Sequence, residues 1–454
     1  MEGTLLQVAE SMQGELHGAD AGFCGVSTDT RTLSRGELFF ALHGPNFDGR
    51  EFVMAAATKQ AAAAVVEKPV DAGIANITVD DTRLALGRLA AGWRQQMSAR
   101  VVAVTGSNGK TTVKEMIASC LSLSGSTLAT EGNLNNDIGV PLMLLRLGRE
   151  NEYGVFELGA NHPHEIAYLT GLVCPDLVLI TNAAAAHLEG FGNVEGVAHA
   201  KGEILQGEPA PQCAILNRDD EFYELWRSMA GNASIVSFGT DPHADVRATA
   251  VSSTDTGSEF TLLLPETTLE IALPLAGAHN VLNACAAAAT AVAFGVPAEL
   301  IRQGLTQARP ANGRLRPLDG IAGMRLFDDS YNANPASVIA AAEFLASQAG
   351  ESCMVLGDMA ELGADAGLLH ESVGQAIRDA GIARLFAVGE QSRQAVAAFG
   401  DKAEWFTSVD ALIESLVPVL RKRPVSNVLV KGSRSMRMER VVVALAEKDS
   451  EEVR

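Results

Sequence analysis

The spacing of apolar residues changes several times along the chain, and each change marks an element. Apolar positions recur at helical spacing from Leu5 to Met12, then give way to short apolar runs at Glu37–Leu42, Ala62–Val66 and Ile77–Val79. Runs this short predict buried strands. A helix from Thr82 to about Met97, with Thr82 as its N-cap, closes this first unit. The next strand is the run Val101-Val102-Ala103-Val104, followed by Tyr153–Leu158 and Leu177–Thr181, each leading into helical or loop segments. That alternation predicts a parallel sheet. Between Asp245 and Leu275 the period becomes that of a hairpin, with Phe260–Leu264 and Leu269–Leu273 flanking Pro265-Glu266-Thr267-Thr268. An alanine-rich helix from about Val281 to Phe294 stops at Gly295 and Pro297.

After breaks at Arg309-Pro310 and Asn312-Gly313, strands at Arg325–Phe327, Met354–Leu356, Leu385–Val388 and Val428–Val430 alternate with four helical segments. These are Ser337–Ala346, Glu371–Ala380, Val409–Leu420 and Glu439–Glu447. The predicted architecture is α/β in three domains: a small α/β unit at 1–98, a central phosphate-loop unit with a mostly parallel sheet at 99–310, and a Rossmann-like unit at 311–454.

Composition narrows the function. The 454 residues carry 35 Lys+Arg against 55 Asp+Glu, a net charge of -20. Duplex DNA and anionic membranes need a cationic face, so neither is the expected partner. The longest greasy stretch, Ala284 to Phe294, falls well short of the roughly 20 residues of a spanning helix. The start, Met1-Glu2-Gly3-Thr4, lacks the basic and apolar regions of a signal peptide. Six scattered cysteines form no C-x-x-C pair. A reduced, cytoplasmic protein is therefore expected. Locally the charge differs: from Arg421 to Arg440 seven Lys+Arg face one acid, Glu439. That run either coats a solvated helix or places positive charge near anionic substrates.

The strongest chemical signal follows the strand at Val101–Val104. Thr105-Gly106-Ser107-Asn108-Gly109-Lys110-Thr111-Thr112 is a glycine loop opening a helix, where backbone N–H groups cradle a triphosphate. Lys110 supplies a charge to the β- and γ-phosphates and the Thr111 hydroxyl a ligand for Mg²⁺. The longer G-x-x-x-x-G-K-T form would need glycine at Val104, so this is the shorter loop. Glu157 ends one strand and His187 follows another, at the strand ends where ligands bind in open α/β sheets. A solvated strand-end charge and a core histidine are the alternatives. Lys201 reads first as an exposed helix lysine. The amides of Asn133, Asn135 and Asn136 suit a polyoxygenated anion or an ordinary loop. Asn280 reads as a cap of the alanine-rich helix, and the run Asp328-Asp329-Ser330-Tyr331-Asn332-Ala333-Asn334-Pro335 as turn chemistry.

Together these residues resemble the Mur ligases, the ATP-dependent amide ligases of peptidoglycan precursor synthesis. The matching positions are Thr105–Thr112, Asn133–Pro141, Glu157, His187, Lys201, Gly277–Asn283 and Arg314, in the family's order. The branch that adds D-alanyl-D-alanine is the most similar, through Ser27-Thr28-Asp29-Thr30-Arg31, Gly36–Leu42, Asp328–Pro335, Gly357–Gly363 and Lys431-Gly432-Ser433-Arg434. The D-N-P-R motif of the diamino-acid-adding branch is absent from the sequence.

The resemblance implies a monomeric enzyme acting on UDP-N-acetylmuramoyl-tripeptide and D-alanyl-D-alanine, with ATP and Mg²⁺, through an acyl phosphate. Ser27, Thr28, Asp29 and Arg31 would hold the uridine end, with Asn133, Asn135 and Asn136 also on that substrate. Lys110 and Thr111 would serve the phosphates; Thr111, Glu157, His187 and a carbamylated Lys201 would hold metal. Asn283 and Tyr331 would lie near adenine, Asp328 or Asp329 near ribose, Asn280 and Asn332 elsewhere on the ATP, and Arg314 near the γ-phosphate. Two readings rival it: a relative such as folylpolyglutamate synthetase, which shares the ATP loop but not the Asp328–Pro335 run, and a nucleotide switch, which has no need of Glu157, His187 and Lys201 together.

Overall fold

A computed structural model describes residues 1–44, 47–253, 257–423 and 425–447; the end of the predicted 311–454 unit lies outside them. Among the described residues, three large sheets carry the fold. The first has five strands in the order Glu15–His17, Ala75–Thr78, Ala63–Val66, Leu38–Phe40, Val26–Ser27, parallel except at the Glu15–His17 edge. Its closing helix, Thr82–Arg94, differs from expectation at the cap. Asp81 accepts from the N–H groups of Arg83 (2.8 Å) and Leu84 (2.9 Å), because a carboxylate one residue earlier reaches both free donors. The Thr82 hydroxyl instead accepts from His43 N at 3.3 Å.

The central sheet orders nine strands as Thr127–Ala129, Tyr153–Glu157, Arg100–Thr105, Leu177–Ile180, Cys213–Asn217, Ser234–Gly239, Val246–Ser253, Ser258–Leu263 and Thr268–Leu273. Pairings are parallel as far as Val246–Ser253, and the last two strands form the expected antiparallel hairpin. Register aligns Val104 with Glu157 and Thr105 with Ile180, so Glu157 and the 181–187 segment leave the sheet beside the phosphate loop. Helix Ala278–Ala293 packs on helix Lys110–Ser122, and its run Ala284–Ala289 is fully buried. Small side chains permit that close approach. Gly277 is the N-cap of this helix, not Asn280. Asn280 lies buried inside the first turn, donating to Ala276 O at 2.7 Å.

The third sheet orders Arg316–Asp319, Arg325–Asp329, Asn427–Lys431, Ser352–Gly357, Arg384–Val388 and Ala403–Phe406, parallel except for the first pair. The first unit is fastened to the second by Trp93 Nε1 donating to Leu147 O (2.8 Å) and by buried Arg94 donating to Val173 O (2.9 Å). No helix among the described residues is long and apolar enough to cross a membrane.

Candidate active site

The phosphate loop joins strand Arg100–Thr105 to helix Lys110–Ser122. Thr105 is fully buried and bonds Leu158 O at 2.9 Å, so it anchors the loop rather than facing a ligand. Two glycines are obligatory. A Cβ on Gly106 (φ +144) would sit 1.9 Å from Thr181 Oγ1, and one on Gly109 (φ +81) 2.5 Å from Asn283 Oδ1. Asn182 shapes the bend, its main-chain oxygen accepting from Ser107 N and its side-chain oxygen from Asn108 N, both at 2.9 Å. Lys110 Nζ folds back onto Gly106 O (2.6 Å) and Ser107 O (3.2 Å). Desolvation pushes its pKa down, the charge of Glu157 opposes this, and Arg314 adds to the lowering. An anion entering the loop would relieve that burial.

Glu157 is 2% exposed. Its N–H donates to Thr130 Oγ1 (3.0 Å), and its Oε1 accepts from Asn135 Nδ2 (2.7 Å). Oε2 is buried and has no partner. A buried carboxylate oxygen left bare is costly unless a cation completes it. Beneath it lies Lys114, 1% exposed, whose Nζ donates to Thr130 O at 2.7 Å and pairs with Glu115. The sequence signal was a lysine one helical turn after Lys110 on an otherwise apolar face.

His187, in the left-handed region at φ +54, starts the short helix Leu188–Phe191. Its Nδ1 bonds the carboxylate of Glu361, which belongs to the third unit and also has positive φ, +61. Burial holds the His187 pKa below its ordinary value, with Lys110 and Lys201 adding to the effect against Glu361. Lys201, in helix Val194–Gly202, is 1% exposed, with Nζ 5.2 Å from the Phe191 ring centroid. Burial, then the charge of Lys110, brings its pKa down to about 7.

Three cavities meet at Arg314, which lines all of them. One of about 330 Å³ lies between Gly109, Thr112, Asn280, Asn283 and Asp329. One of about 980 Å³ runs past Ser107, Lys110, Asn133, Asn135, Asn136, Glu157, His187 and Asn332 toward Arg83 and Leu84 of the first unit. The third, about 850 Å³, touches Thr111, Asn133 and Asp328. Tyr331 lines the two larger cavities, not the one with Asn280 and Asn283; its ring lies 4.2 Å from the Arg314 guanidinium and 6.0 Å from that of Arg434. Asp329 is held by Lys431 Nζ at 2.6 Å. Asn334, N-cap of helix Pro335–Ser347, donates to Asn108 Oδ1 at 2.7 Å, tying the third unit to the phosphate loop.

Ser27, Thr28, Asp29 and Arg31 line none of these cavities. Asp29 and Arg31 are paired at 2.6 Å, and that guanidinium holds the Asp29 carboxyl down to about 2. The first unit reaches the cleft through Arg83 instead, which sequence reasoning missed along with Lys114 and Asn182; Glu361 and Lys431 stood in it only as parts of motifs, with no role given.

A phosphate loop with a bare buried carboxylate beside it, in a cleft walled by three α/β units, defines a multi-substrate enzyme of ATP-dependent ligase architecture. Family models agree over most of the chain: the Mur ligase catalytic domain matches residues 23–94, the middle domain 104–291 and the glutamate ligase domain 313–434. The chain belongs to the Mur ligase family. It is 47% identical, over 98% of both chains, to the UDP-N-acetylmuramoyl-tripeptide–D-alanyl-D-alanine ligase of Escherichia coli strain K12. A crystal structure of MurF from Acinetobacter baumannii superposes with a TM-score of 0.92 at 39% identity, covering 98% of each chain. MurF from Thermotoga maritima, solved in complex with ADP, gives a TM-score of 0.81 at 25% identity, over 92% of this chain and 96% of that one.

Proposed function

We propose that this chain joins D-alanyl-D-alanine to UDP-N-acetylmuramoyl-tripeptide at the expense of ATP, giving the pentapeptide, ADP and phosphate in peptidoglycan precursor synthesis. The observation that carries the reading is the meeting of three cavities at Arg314 beside the phosphate loop, in a chain 47% identical to a ligase of that name. The reaction must bring three substrates to one point.

ATP takes the cavity between Gly109 and Asn283, with Lys110 turning from its own loop carbonyls to the phosphates. The nucleotide-linked tripeptide extends from the first unit past Arg83 and Asn135. Its terminal carboxylate attacks the γ-phosphorus, the bond to the β-bridging oxygen breaks, and ADP leaves. The acyl phosphate now has the leaving group that a carboxylate lacks. The dipeptide amine, having lost a proton, attacks the carbonyl carbon; the tetrahedral species expels phosphate and the amide remains. Lys110 and Arg314 face the charge that develops on the transferring phosphoryl oxygens.

The bare, buried Oε2 of Glu157 suits Mg²⁺, and the Thr111 hydroxyl at the start of the loop helix would be a further ligand. No group of three or more His, Cys, Asp or Glu side chains that could hold a metal occurs among the described residues. Mg²⁺ is usually held by one or two protein ligands together with substrate phosphates. When bound it would neutralise phosphate charge. His187 lines the cavity that holds Lys110 and Glu157, whereas Lys201 lines none of the three and meets Lys110 only through its charge. A lysine pKa near 7 leaves much of the amine neutral and able to add carbon dioxide, and carbamylation would make Lys201 an anionic oxygen ligand. The reaction is placed in the cytoplasm, where ATP and nucleotide-linked precursors occur.

An oxygen-isotope label in the tripeptide's terminal carboxylate tests the order of steps. One labelled oxygen should leave in the inorganic phosphate; phosphate free of label would overturn the acyl phosphate.

A further inference from the structure

The loop Gly357–Gly363 is held at every position leading to Glu361. Asp358 accepts from Ser392 N (2.7 Å) and Gln391 N (3.2 Å). Met359 N donates to His370 Nε2 (3.0 Å), and Ala360 N to Ser433 Oγ (2.7 Å). Glu361 O accepts from Glu189 N of the central unit at 3.2 Å. The outcome is a rigid arm that sets the Glu361 carboxylate on His187 Nδ1 across the boundary between two units.

Both residues of that contact have positive φ, +61 and +54, a region that side-chain-bearing residues rarely occupy. Backbone strain of this kind gathers at working sites. Stability does not explain the pair, because the Glu361 side chain is about half exposed and solvated ion pairs contribute little. Orientation does. A carboxylate set against Nδ1 favours the ring form that carries its proton there, which in the neutral ring leaves Nε2 with the lone pair.

We propose that Glu361 is a positioning residue for the ligation: the third unit supplies the carboxylate that fixes the tautomer and ring plane of His187, so His187 is set for work only while that unit is docked. This rests on the ligase reading above. It assigns a role to the Gly357–Gly363 motif, of which Ala360 and Glu361 line the same cavity as Lys110. It also makes the nucleotide cleft and a loop of another unit parts of one site.

The test compares Glu361→Ala and Glu361→Gln, the second retaining an oxygen that accepts the Nδ1 proton. A carboxylate behind a metal-ligating imidazole typically contributes 10- to 100-fold to metal affinity or activity, so at saturating Mg²⁺ Glu361→Ala should lower kcat by up to about that factor, while KM for ATP stays within about twofold. Glu361→Gln should recover most of the loss. The second readout needs no substrate. With histidine ring nitrogens isotopically labelled, and the His187 signal identified by its loss in His187→Asn, magnetic resonance should show one Nδ1–H tautomer in the parent and a mixture in Glu361→Ala. A kcat for Glu361→Ala within about twofold of the parent, or an unchanged tautomer, overturns the proposal. Should the parent form no ligated product, the ligase reading fails while the ring spectra still decide the role of Glu361.

Discussion

Replacing Glu157 by Gln should stabilise the ligand-free protein while destroying its activity. The carboxylate is 2% exposed, Asn135 Nδ2 satisfies Oε1 at 2.7 Å, and Oε2 has no partner. An unsatisfied buried polar atom costs about 1–3 kcal/mol, and more when it is charged. Glutamine keeps the shape and removes the charge; its amide oxygen still accepts from Asn135 Nδ2, and a neutral NH2 group takes the place of the bare oxygen. A gain of about 1 kcal/mol is therefore expected in ligand-free protein, the difference between burying an unpaired charge and an unpaired neutral amide. For a unit the size of the central one this corresponds to a rise in melting temperature of about 2–4 °C per kcal/mol. With Mg²⁺ and a nucleotide the order should reverse, because only the parent gains a cation bound at Oε2. Calorimetric melts of both proteins, with and without Mg²⁺ and ADP, provide the comparison. Phosphate release under full substrate supply completes it. The reasoning is refuted if Glu157→Gln lowers ligand-free stability by more than about 1 kcal/mol, or if the variant turns over at the parental rate.

The other predictions address neighbouring parts of the site. Lys110→Ala should abolish turnover and leave the melting temperature of the ligand-free protein nearly unchanged, since its Nζ bonds only its own loop; retained phosphate release would remove it from the phosphate site. Gly109→Ala should weaken ADP binding by at least tenfold, about 1.4 kcal/mol, because its Cβ meets Asn283 Oδ1 at 2.5 Å in a backbone at φ +81; isothermal titration measures it, and unchanged affinity contradicts the loop geometry. Lys201, with a folded pKa near 7, lies below an unfolded lysine at about 10.4. Between those values the unfolded chain binds more protons, so stability gained from this group rises with pH. In carbonate-free buffer the parent should therefore gain stability relative to Lys201→Met from pH 7 to 10, read by urea titration at each pH; a parallel pair of curves would show that Lys201 is not desolvated.

Local chemistry made the phosphate loop readable, because strand, glycine bend and helix are contiguous in sequence. Glu157 and His187 could be placed at strand ends for the same reason. The Thr82 cap was misread by one residue since Asp81 and Thr82 are both good caps, and only geometry decides that Asp81 reaches two donors. Strands Cys213–Asn217 and Ser234–Gly239 escaped notice although they continue the parallel sheet. Their apolar runs are short and set among helical segments of similar hydropathy. Contacts between distant segments were beyond any local pattern. Glu361 meets His187 across 174 positions, Asn334 meets Asn108 across 226, and Lys431 pairs with Asp329 only because parallel register aligns them. Ser27 to Arg31 carry a family pattern yet lie away from the three cavities.

The central claim is that one cleft couples three substrates. Purified protein with ATP and Mg²⁺ should be given UDP-N-acetylmuramoyl-tripeptide and D-alanyl-D-alanine, each alone and then both. Phosphate and product mass are followed together. The account predicts one phosphate for each new amide, a product heavier by one dipeptide less water, and sustained phosphate release only when both partners are present. Phosphate release that ignores either partner, or a full mixture that yields no ligated mass, would contradict it.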